Sequence, residues 1–267
     1  MDACSIADSI DLSRYPINRL DTLIGKKFVE ECRARFDETG VLVLEGFLRP
    51  GAVEEVRDEV TPLIPLSFAR PHRANVYLKA SDPELPGEHP RNRTVVTNMN
   101  VVAYDQIPSN GTLKLLYNYR QLRRFLSEIV GYPQLYPYED ALGSLNVNIL
   151  GTGQELGWHF DNSDFAVTLL LQAADEGGVF EYLPMARTDQ DSGFEKVNGV
   201  LDGYRDEVRI LSQEPGSLVV FRGRYALHRV TPVKGDRPRI IAVLAYDSEP
   251  GVQLTEYNRN LLYGRVQ

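Results

Sequence analysis

The second half of this chain of 267 residues is a series of short apolar segments separated by turns. The turns contain Gly151-Thr152-Gly153, Gly177-Gly178 and Pro215-Gly216, which are typical connections between strands. Six strands at this spacing, with no helices between them, favour an antiparallel sandwich or barrel. The segments that we predict as strands are residues 144–150, 166–171, 179–183, 208–211, 217–221 and 239–246.

The first half of the chain has helical periodicity instead. Apolar residues three and four positions apart predict helices at residues 24–36, 50–65 and 115–129. Residues 66–111 show no sustained period and contain five prolines, so we expect a long functional loop or lid there. Because the helices precede the strands and do not alternate with them, the pattern indicates an α+β fold rather than a doubly wound nucleotide-binding fold. We expect one domain, spanning residues 1–267, with a mainly helical part at 1–142, a β core at 143–246 and a C-terminal tail at 247–267.

Charge and composition exclude several classes of partner. The chain has 37 acidic and 29 basic residues, a net charge of -8, which is the wrong sign for binding a phosphate backbone. The longest apolar run, residues 240–246, is far shorter than the roughly 20 residues that cross a bilayer. The only cysteines are Cys4 and Cys32, and the first residues do not resemble a signal peptide. We therefore expect no nucleic acid or membrane partner, free thiols and a cytoplasmic location.

A candidate metal-binding pair lies near the middle of the β-rich half. His159 and Asp161 are two residues apart, so on an extended segment both side chains point to the same face. An exposed polar strand would explain this pair as well. The chain has four histidines in all, and the others are His72, His89 and His228.

The segments that follow His159 occur in an order that is informative. They are Glu176-Gly177-Gly178, Pro215-Gly216-Ser217, Leu227-His228-Arg229-Val230-Thr231-Pro232 and Gly235-Asp236-Arg237-Pro238-Arg239. This series resembles the iron(II)- and 2-oxoglutarate-dependent oxygenases over about residues 143–246. The resemblance implies a double-stranded β-helix, a jelly-roll or cupin-like core, with the N-terminal helices packed on it. It also implies an enzyme that uses Fe(II), 2-oxoglutarate as cosubstrate and O2.

The same resemblance assigns catalytic metal ligands and a cosubstrate anchor. His159, Asp161 and His228 become the iron ligands, and such a triad leaves positions open for the cosubstrate and oxygen. The far carboxylate of 2-oxoglutarate needs a cation about ten residues after the second histidine, and an arginine can bind it bidentately. Arg237 and Arg239 both fit this position. Arg239 is preferred because Pro238 suggests that the strand proper begins after it, and Arg237 remains the alternative.

Other candidate site residues follow from their positions. Asn146 and Asn148 share one face of a predicted strand, which indicates either a polar cavity near the cosubstrate or a solvated edge. Trp158 precedes the candidate metal ligand His159, and it either lines the substrate site or packs in the core. For a zwitterionic substrate, the carboxylate could meet Arg91 or Arg93 and the amine Glu139 or Asp140, although all four are also typical surface charges.

A narrower resemblance concerns the reaction. The sequence around His159 and His228 looks most similar to a branch that acts on free amino acids and includes halogenases, in which glycine or alanine replaces the metal carboxylate. Asp161 is present here, so we expect hydroxylation of an unactivated C–H bond of a small molecule, with succinate and CO2 as co-products. Desaturation or cyclisation uses the same ligands and stays open. The further alternatives are a prolyl-type protein hydroxylase and a β-barrel protein that binds a small molecule without turnover.

Overall fold

The computed structural model describes residues 3–69 and 71–267, without the side chains of residues 3–5. Cys4 therefore lies outside the described side chains, whereas Cys32 is buried and carries a free thiol. Short 3-10 helices cover Ile17–Arg19, Thr61–Leu66 and Tyr104–Gln106. The α-helices are α1 (Ala3–Ser9), α2 (Leu23–Thr39), α3 (Pro50–Val60), α4 (Thr112–Tyr117), α5 (Arg120–Val130), α6 (Phe194–Leu201) and α7 (Glu256–Tyr263).

The strands pair only in antiparallel fashion in the described part of the chain. All six predicted strands are confirmed to within about two residues at each end. In chain order, all the strands of the described structure are β1 (Val41–Leu44), β2 (Phe68–Ala69), β3 (His72–Asn75), β4 (Thr94–Thr97), β5 (Asn100–Val102), β6 (Tyr136–Pro137), β7 (Leu145–Leu150), β8 (Leu156–His159), β9 (Ala166–Gln172), β10 (Glu176–Gly177), β11 (Phe180–Leu183), β12 (Arg209–Leu211), β13 (Leu218–Phe221), β14 (Leu227–Val230), β15 (Val233–Lys234), β16 (Arg239–Leu244) and β17 (Tyr246–Asp247).

Two sheets form the main part of the β-rich half. The larger has the strand order β1-β13-β9-β16-β7-β5-β2, and the smaller has the order β12-β11-β14-β8. Side chains of the larger sheet alternate between two environments, as the two-residue period of a strand requires. In β16, Ile240, Ala242 and Leu244 join the main hydrophobic core, whereas the residues between them line a cavity. This mixture of helices with a large antiparallel sheet confirms the α+β class.

The main core lies between the helices and the outer face of the larger sheet. It contains Phe36 of α2, Val56 of α3 and Phe125 of α5 together with Val147 and Leu169 of the sheet. Each is at most 3% exposed. Burying an aliphatic or aromatic side chain of this size contributes about 1.5–3 kcal/mol. The helices therefore brace one face of the sheet and leave its other face for the site.

The structure corrects the predicted helix at residues 115–129, which is two helices. The chain leaves the helical conformation at Tyr119, whose φ of -67° and ψ of 110° are extended. The carbonyl oxygen of Tyr117 accepts a hydrogen bond of 2.7 Å from the hydroxyl of Tyr246. This contact with a distant strand takes up a carbonyl at the end of α4, and the apolar period by itself contains no sign of it. The predicted helix at 50–65 likewise ends at Val60 and continues as a 3-10 helix.

Two further corrections concern segments predicted to lack regular structure. Residues 66–111 contain β2 to β5, and the expected tail at 247–267 contains α7. The strands are only two to four residues long, and β5 pairs with β7, which lies more than forty residues later in the chain. Such short segments are too brief to show a period, so distant pairing partners and not local pattern specify them. Helix α6 was not predicted either.

No helix in the described ranges, 3–69 and 71–267, is long and apolar enough to span a membrane.

Candidate active site

Pairing of β8 with β14 brings two histidines together. His159 and His228 are direct partners in this antiparallel pair, and their ring centroids are 4.1 Å apart. Asp161 follows β8, and its Oδ1 lies 3.6 Å from Nε2 of His159 and 3.7 Å from Nε2 of His228. One ligand atom from each of the three residues fits within a span of 4.8 Å. The predicted spacing of two residues therefore does place His159 and Asp161 side by side, and β14 adds the third residue.

Backbone contacts orient both imidazole rings. Nδ1 of His159 lies 2.9 Å from the carbonyl oxygen of Gly157, and Nδ1 of His228 lies 2.9 Å from that of Ala226. A carbonyl only accepts, so these contacts assign the proton to Nδ1 and leave the lone pair of each Nε2 directed at the site. Burial, reinforced by the neighbouring His159, lowers the pKa of His228 to about 4. This ring is therefore neutral at neutral pH, as a metal ligand must be.

The carboxylate of Asp161 is ionised and fixed in place. Burial disfavours its charge, but the two histidines and the more distant Arg187 outweigh this effect and hold its pKa below the usual range. The Asp161 amide donates to the carbonyl of Gly223 at 3.0 Å, and Arg187 donates to the Asp161 carbonyl at 3.2 Å. Two neutral nitrogens and one anionic oxygen on one side of a site fit a divalent transition metal such as Fe(II).

Gly223 provides the space that the Asp161 carboxylate occupies. A Cβ at position 223 would lie 1.8 Å from Oδ2 of Asp161, far inside contact distance. We expect Gly223→Ala to displace this carboxylate and to weaken Fe(II) or Ni(II) binding about 10- to 100-fold, the range typical of disturbed ligand orientation. Metal titration of the purified protein measures the effect. Gly87→Ala is the control, because a Cβ there meets nothing within 4 Å. Equal metal affinity in both variants would contradict this role for Gly223.

The triad opens into a cavity of about 470 Å³ between the two sheets. The larger sheet contributes alternate residues of β7 and β16, among them Asn146, Asn148 and Arg239. The smaller sheet contributes the triad histidines. Asn146 and Asn148 thus face a cavity and not a solvated edge, whereas the Trp158 ring packs in a second hydrophobic cluster, with the Arg229 guanidinium 4.8 Å from its centroid.

Arg239 is a buried cation in this cavity. Its side chain is almost entirely enclosed, and one Nη atom donates to Gln213 at a long 3.3 Å. Its Nε is buried without a hydrogen-bond partner, and in the described part of the chain no carboxylate forms an ion pair with it. Burial lowers its pKa to about 10, so it remains charged at neutral pH. A buried guanidinium with unused donors fits a carboxylate ligand, such as the far carboxylate of 2-oxoglutarate.

Arg237 is in a different environment. Its guanidinium is about half exposed and pairs with Asp175 at 3.0 Å. It does not line the cavity. The structure therefore brings Arg239, and not Arg237, to the space in front of the triad.

The four charged residues considered for a zwitterionic substrate do not line the cavity. Arg93 pairs with Asp202 at 2.6 Å, and Arg91 donates to the carbonyl of Ala80. The Asp140 carboxylate is buried and pairs with Arg259. The amide of Glu139 donates to the carbonyl of Val252. These contacts give Arg93 and Asp140 structural partners.

The sequence did not identify several other residues of the cavity wall. The segment from Gln253 to Tyr263 lines one side, and Tyr138 and Gln213 lie elsewhere on the wall. None of these residues belongs to a motif or stands out by its spacing. Only the packing of α7 and of the segments that follow β6 and β12 around the site brings them there.

Comparison with known proteins places this geometry in context. The model of a family described as Halogenase D matches residues 24–260. The α-ketoglutarate-dependent non-heme epimerase SnoN, from nogalamycin biosynthesis, is 17% identical, with a TM-score of 0.57 over 83% of each chain. A 2OG-Fe(II) oxygenase family oxidoreductase from Burkholderia pseudomallei is also 17% identical, with a TM-score of 0.52 over 84% of this chain and 92% of that one.

A third solved structure is HygX from Streptomyces hygroscopicus with nickel, 2-oxoglutarate and hygromycin B bound. It is 15% identical, with a TM-score of 0.54 over 81% of this chain and 86% of that one. No curated protein matches the sequence. These structural matches show that the chain shares its fold with the three proteins.

Proposed function

The chain belongs to the Halogenase D family, and from this premise we propose that it is an iron(II)- and 2-oxoglutarate-dependent dioxygenase that hydroxylates a small molecule. The observation that carries the proposal is the pairing of two complementary sites in one cavity. His159, Asp161 and His228 offer a metal three ligands, and Arg239 offers a carboxylate a buried cation in the same space.

The residues of this chain bind and orient the reactants. Together, Fe(II), 2-oxoglutarate and O2 supply the oxidation when bound, with conversion of 2-oxoglutarate to succinate and CO2. The two histidines present fixed Nε2 lone pairs, and Asp161 offsets part of the metal charge. Phe180 and Phe221 pack against His228, with ring centroids 5.6 and 4.8 Å away, and keep bulk water from that side of the triad.

We propose that the β-rich core is a double-stranded β-helix. Along the chain the core strands alternate between the two sheets except at β11 and β12, which are consecutive in the smaller one, and β7, β9, β13 and β16 belong to the larger one. The smaller sheet has β8, β11, β12 and β14. A cavity between the open faces of the two sheets is consistent with such a closed arrangement.

Hydroxylation is the reaction that the ligand set supports. A halogenase of this type needs a metal position free for chloride, and here Asp161 would occupy that position with a negative charge of its own. The substrate that we propose is a free amino acid, on the basis of the sequence resemblance around His159 and His228. A cytoplasmic location remains a prediction from the sequence.

The proposed reaction is tested by product analysis. Purified protein supplied with Fe(II), ascorbate, 2-oxoglutarate and a pool of amino acids should consume 2-oxoglutarate and yield a product heavier by one oxygen atom, even in concentrated chloride. Mass spectrometry identifies the product. A chlorine isotope pattern from the unaltered protein would overturn the hydroxylase proposal, and loss of two hydrogens would indicate desaturation or cyclisation. A protein without any 2-oxoglutarate consumption would favour a binding function instead.

The Asp161→Gly variant tests the role of the carboxylate directly. We expect hydroxylation to fall by at least about 100-fold, because the variant loses a metal ligand and the charge that it carried. Chlorination should appear only weakly, since one substitution does not rebuild the surroundings of the metal. The measurement is product mass in chloride buffer. Undiminished hydroxylation by the variant would show that Asp161 is not a ligand.

A further inference from the structure

The C-terminal segment Gln253–Tyr263, which contains α7, forms one wall of the cavity. Residues of this segment that line it are Gln253, Leu254, Thr255, Asn258, Leu261, Leu262 and Tyr263. All are uncharged, and its two charged residues, Glu256 and Arg259, do not line the cavity. The wall is therefore uncharged and combines leucine side chains with neutral amide and hydroxyl groups.

The surfaces that face this wall are also uncharged. Tyr263 packs against Val101 of β5, and Leu254 and Leu262 join the same apolar cluster. Asn146 and Val243 lie on the cavity faces of β7 and β16. Among the residues that the structure describes, Asp161 and Arg239 are the only acidic or basic side chains that line the cavity apart from histidines, which are His72, His159 and His228. A charged group beneath the wall would lose its hydration without gaining an ionic partner.

One polar atom in the wall is incompletely hydrogen-bonded. The hydroxyl of Tyr263 is buried and has no well-aligned hydrogen bond, and its polar neighbour is the side chain of Asn146. Buried hydroxyls are normally hydrogen-bonded. Since both side chains line the cavity, a polar neutral group of a ligand is a natural further partner for them.

A buried ion pair holds the wall in place. Oδ2 of Asp140 accepts hydrogen bonds from the amide of Leu254 at 2.8 Å and from Nε of Arg259 at 2.9 Å. The Asp140 side chain is fully buried, and Arg259 also donates to Gln253 at 2.9 Å. The packing is close, because a Cβ at Gly143 would lie 2.3 Å from Cδ1 of Leu254. The start and the middle of the wall are thus tied to the loop before β7.

We propose that Gln253–Tyr263 is the substrate-selecting wall of the site, that it accepts an uncharged side chain of the substrate, and that Asp140 and Arg259 are positioning residues for it. The inference rests on the proposed function, since it describes the substrate of that same site. It assigns Asp140, which the sequence suggested as a direct partner of the substrate amine, to the support of the wall. A cationic or anionic amino acid side chain is disfavoured beneath it.

The first experiment compares two amino acids of similar length. Binding of L-norleucine and L-lysine is measured by calorimetry on protein loaded with Ni(II) and 2-oxoglutarate, which prevents turnover. L-norleucine should bind at least tenfold more tightly than L-lysine, because only lysine brings a charge beneath the wall. The inference is overturned if L-lysine binds as tightly as L-norleucine or more tightly, or if L-norleucine does not bind. Either result leaves the proposed enzyme class intact. A protein that binds neither Ni(II) nor 2-oxoglutarate contradicts the proposed function instead.

The second experiment loosens the wall. Arg259→Met should weaken L-norleucine binding at least tenfold while leaving the Ni(II) and 2-oxoglutarate affinities within about twofold of the wild type. Arg259→Lys should keep part of the L-norleucine affinity that Arg259→Met loses. The control is Arg265→Met, which breaks the more exposed pair with Asp105 at the same end of the chain. It should leave all three affinities unchanged. If Arg259→Met loses both metal binding and L-norleucine binding, Arg259 has a general structural role and the assignment is overturned.

Hydrogen exchange of residues 253–263 provides a measurement that needs no metal or cosubstrate. Exchange there should rise in Arg259→Met and stay at the wild-type level in Arg265→Met. Unchanged exchange in Arg259→Met would show that the pair with Asp140 does not hold the wall, whatever the ligand measurements give.

Discussion

Replacing His228 with alanine should abolish turnover and weaken binding of Fe(II) or Ni(II) by at least about 100-fold. Disturbing only the groups that orient metal ligands typically costs 10- to 100-fold in affinity, and this variant removes a ligand itself. His228 is also the residue that β14 places opposite His159, and among the described residues no other histidine belongs to this cluster of possible metal ligands. Metal titration followed by an assay of 2-oxoglutarate consumption measures both effects.

His89→Ala is the matched control for this prediction. His89 packs against Phe194, with ring centroids 4.4 Å apart, and does not line the cavity. The control should bind metal as the wild type does. Full metal affinity in His228→Ala would refute the ligand assignment, and equal loss in both variants would point to damage of the fold instead.

The second large effect is expected at Arg239. Arg239→Ala should weaken 2-oxoglutarate binding at least about 30-fold, because losing one partner of a buried charge pair costs about 2–5 kcal/mol. Metal affinity in the absence of 2-oxoglutarate should change little, since Arg239 is not a ligand. Titration of the Ni(II)-loaded protein with 2-oxoglutarate measures the effect.

Arg237→Ala is the control, and we expect it to stay within about twofold of the wild type. Its guanidinium is about half exposed and pairs with Asp175, and such surface pairs contribute little. Arg239→Lys should recover only part of the affinity, because a single ammonium cannot replace the planar guanidinium. A larger loss of 2-oxoglutarate affinity in Arg237→Ala than in Arg239→Ala would show that Arg237, and not Arg239, binds the carboxylate.

The long elements with strong local patterns were predictable from the sequence. Helix α2 was predicted from apolar residues one turn apart, and the core strands from short apolar segments bounded by glycine or proline turns. The candidate ligands were also accessible, because a strand places residues two positions apart on one face. The short strands between residues 66 and 111 and helix α7 have no comparable local pattern, so they were predicted as loop and tail.

The sequence by itself determined the elements that are specified by residues a few positions apart. It also placed His159 and Asp161 on the same face of an extended segment. It left Arg237 and Arg239 as alternatives, since both lie at the right separation from His228. Only the tertiary structure distinguishes their positions, because the antiparallel register of β16 with β7 places Arg239 opposite Leu150 and its side chain lines the cavity, which Arg237 does not. It also decided that Asp140 pairs with Arg259 and that α7 closes the site. Both outcomes depend on contacts between residues more than one hundred positions apart, and no local pattern encodes such contacts.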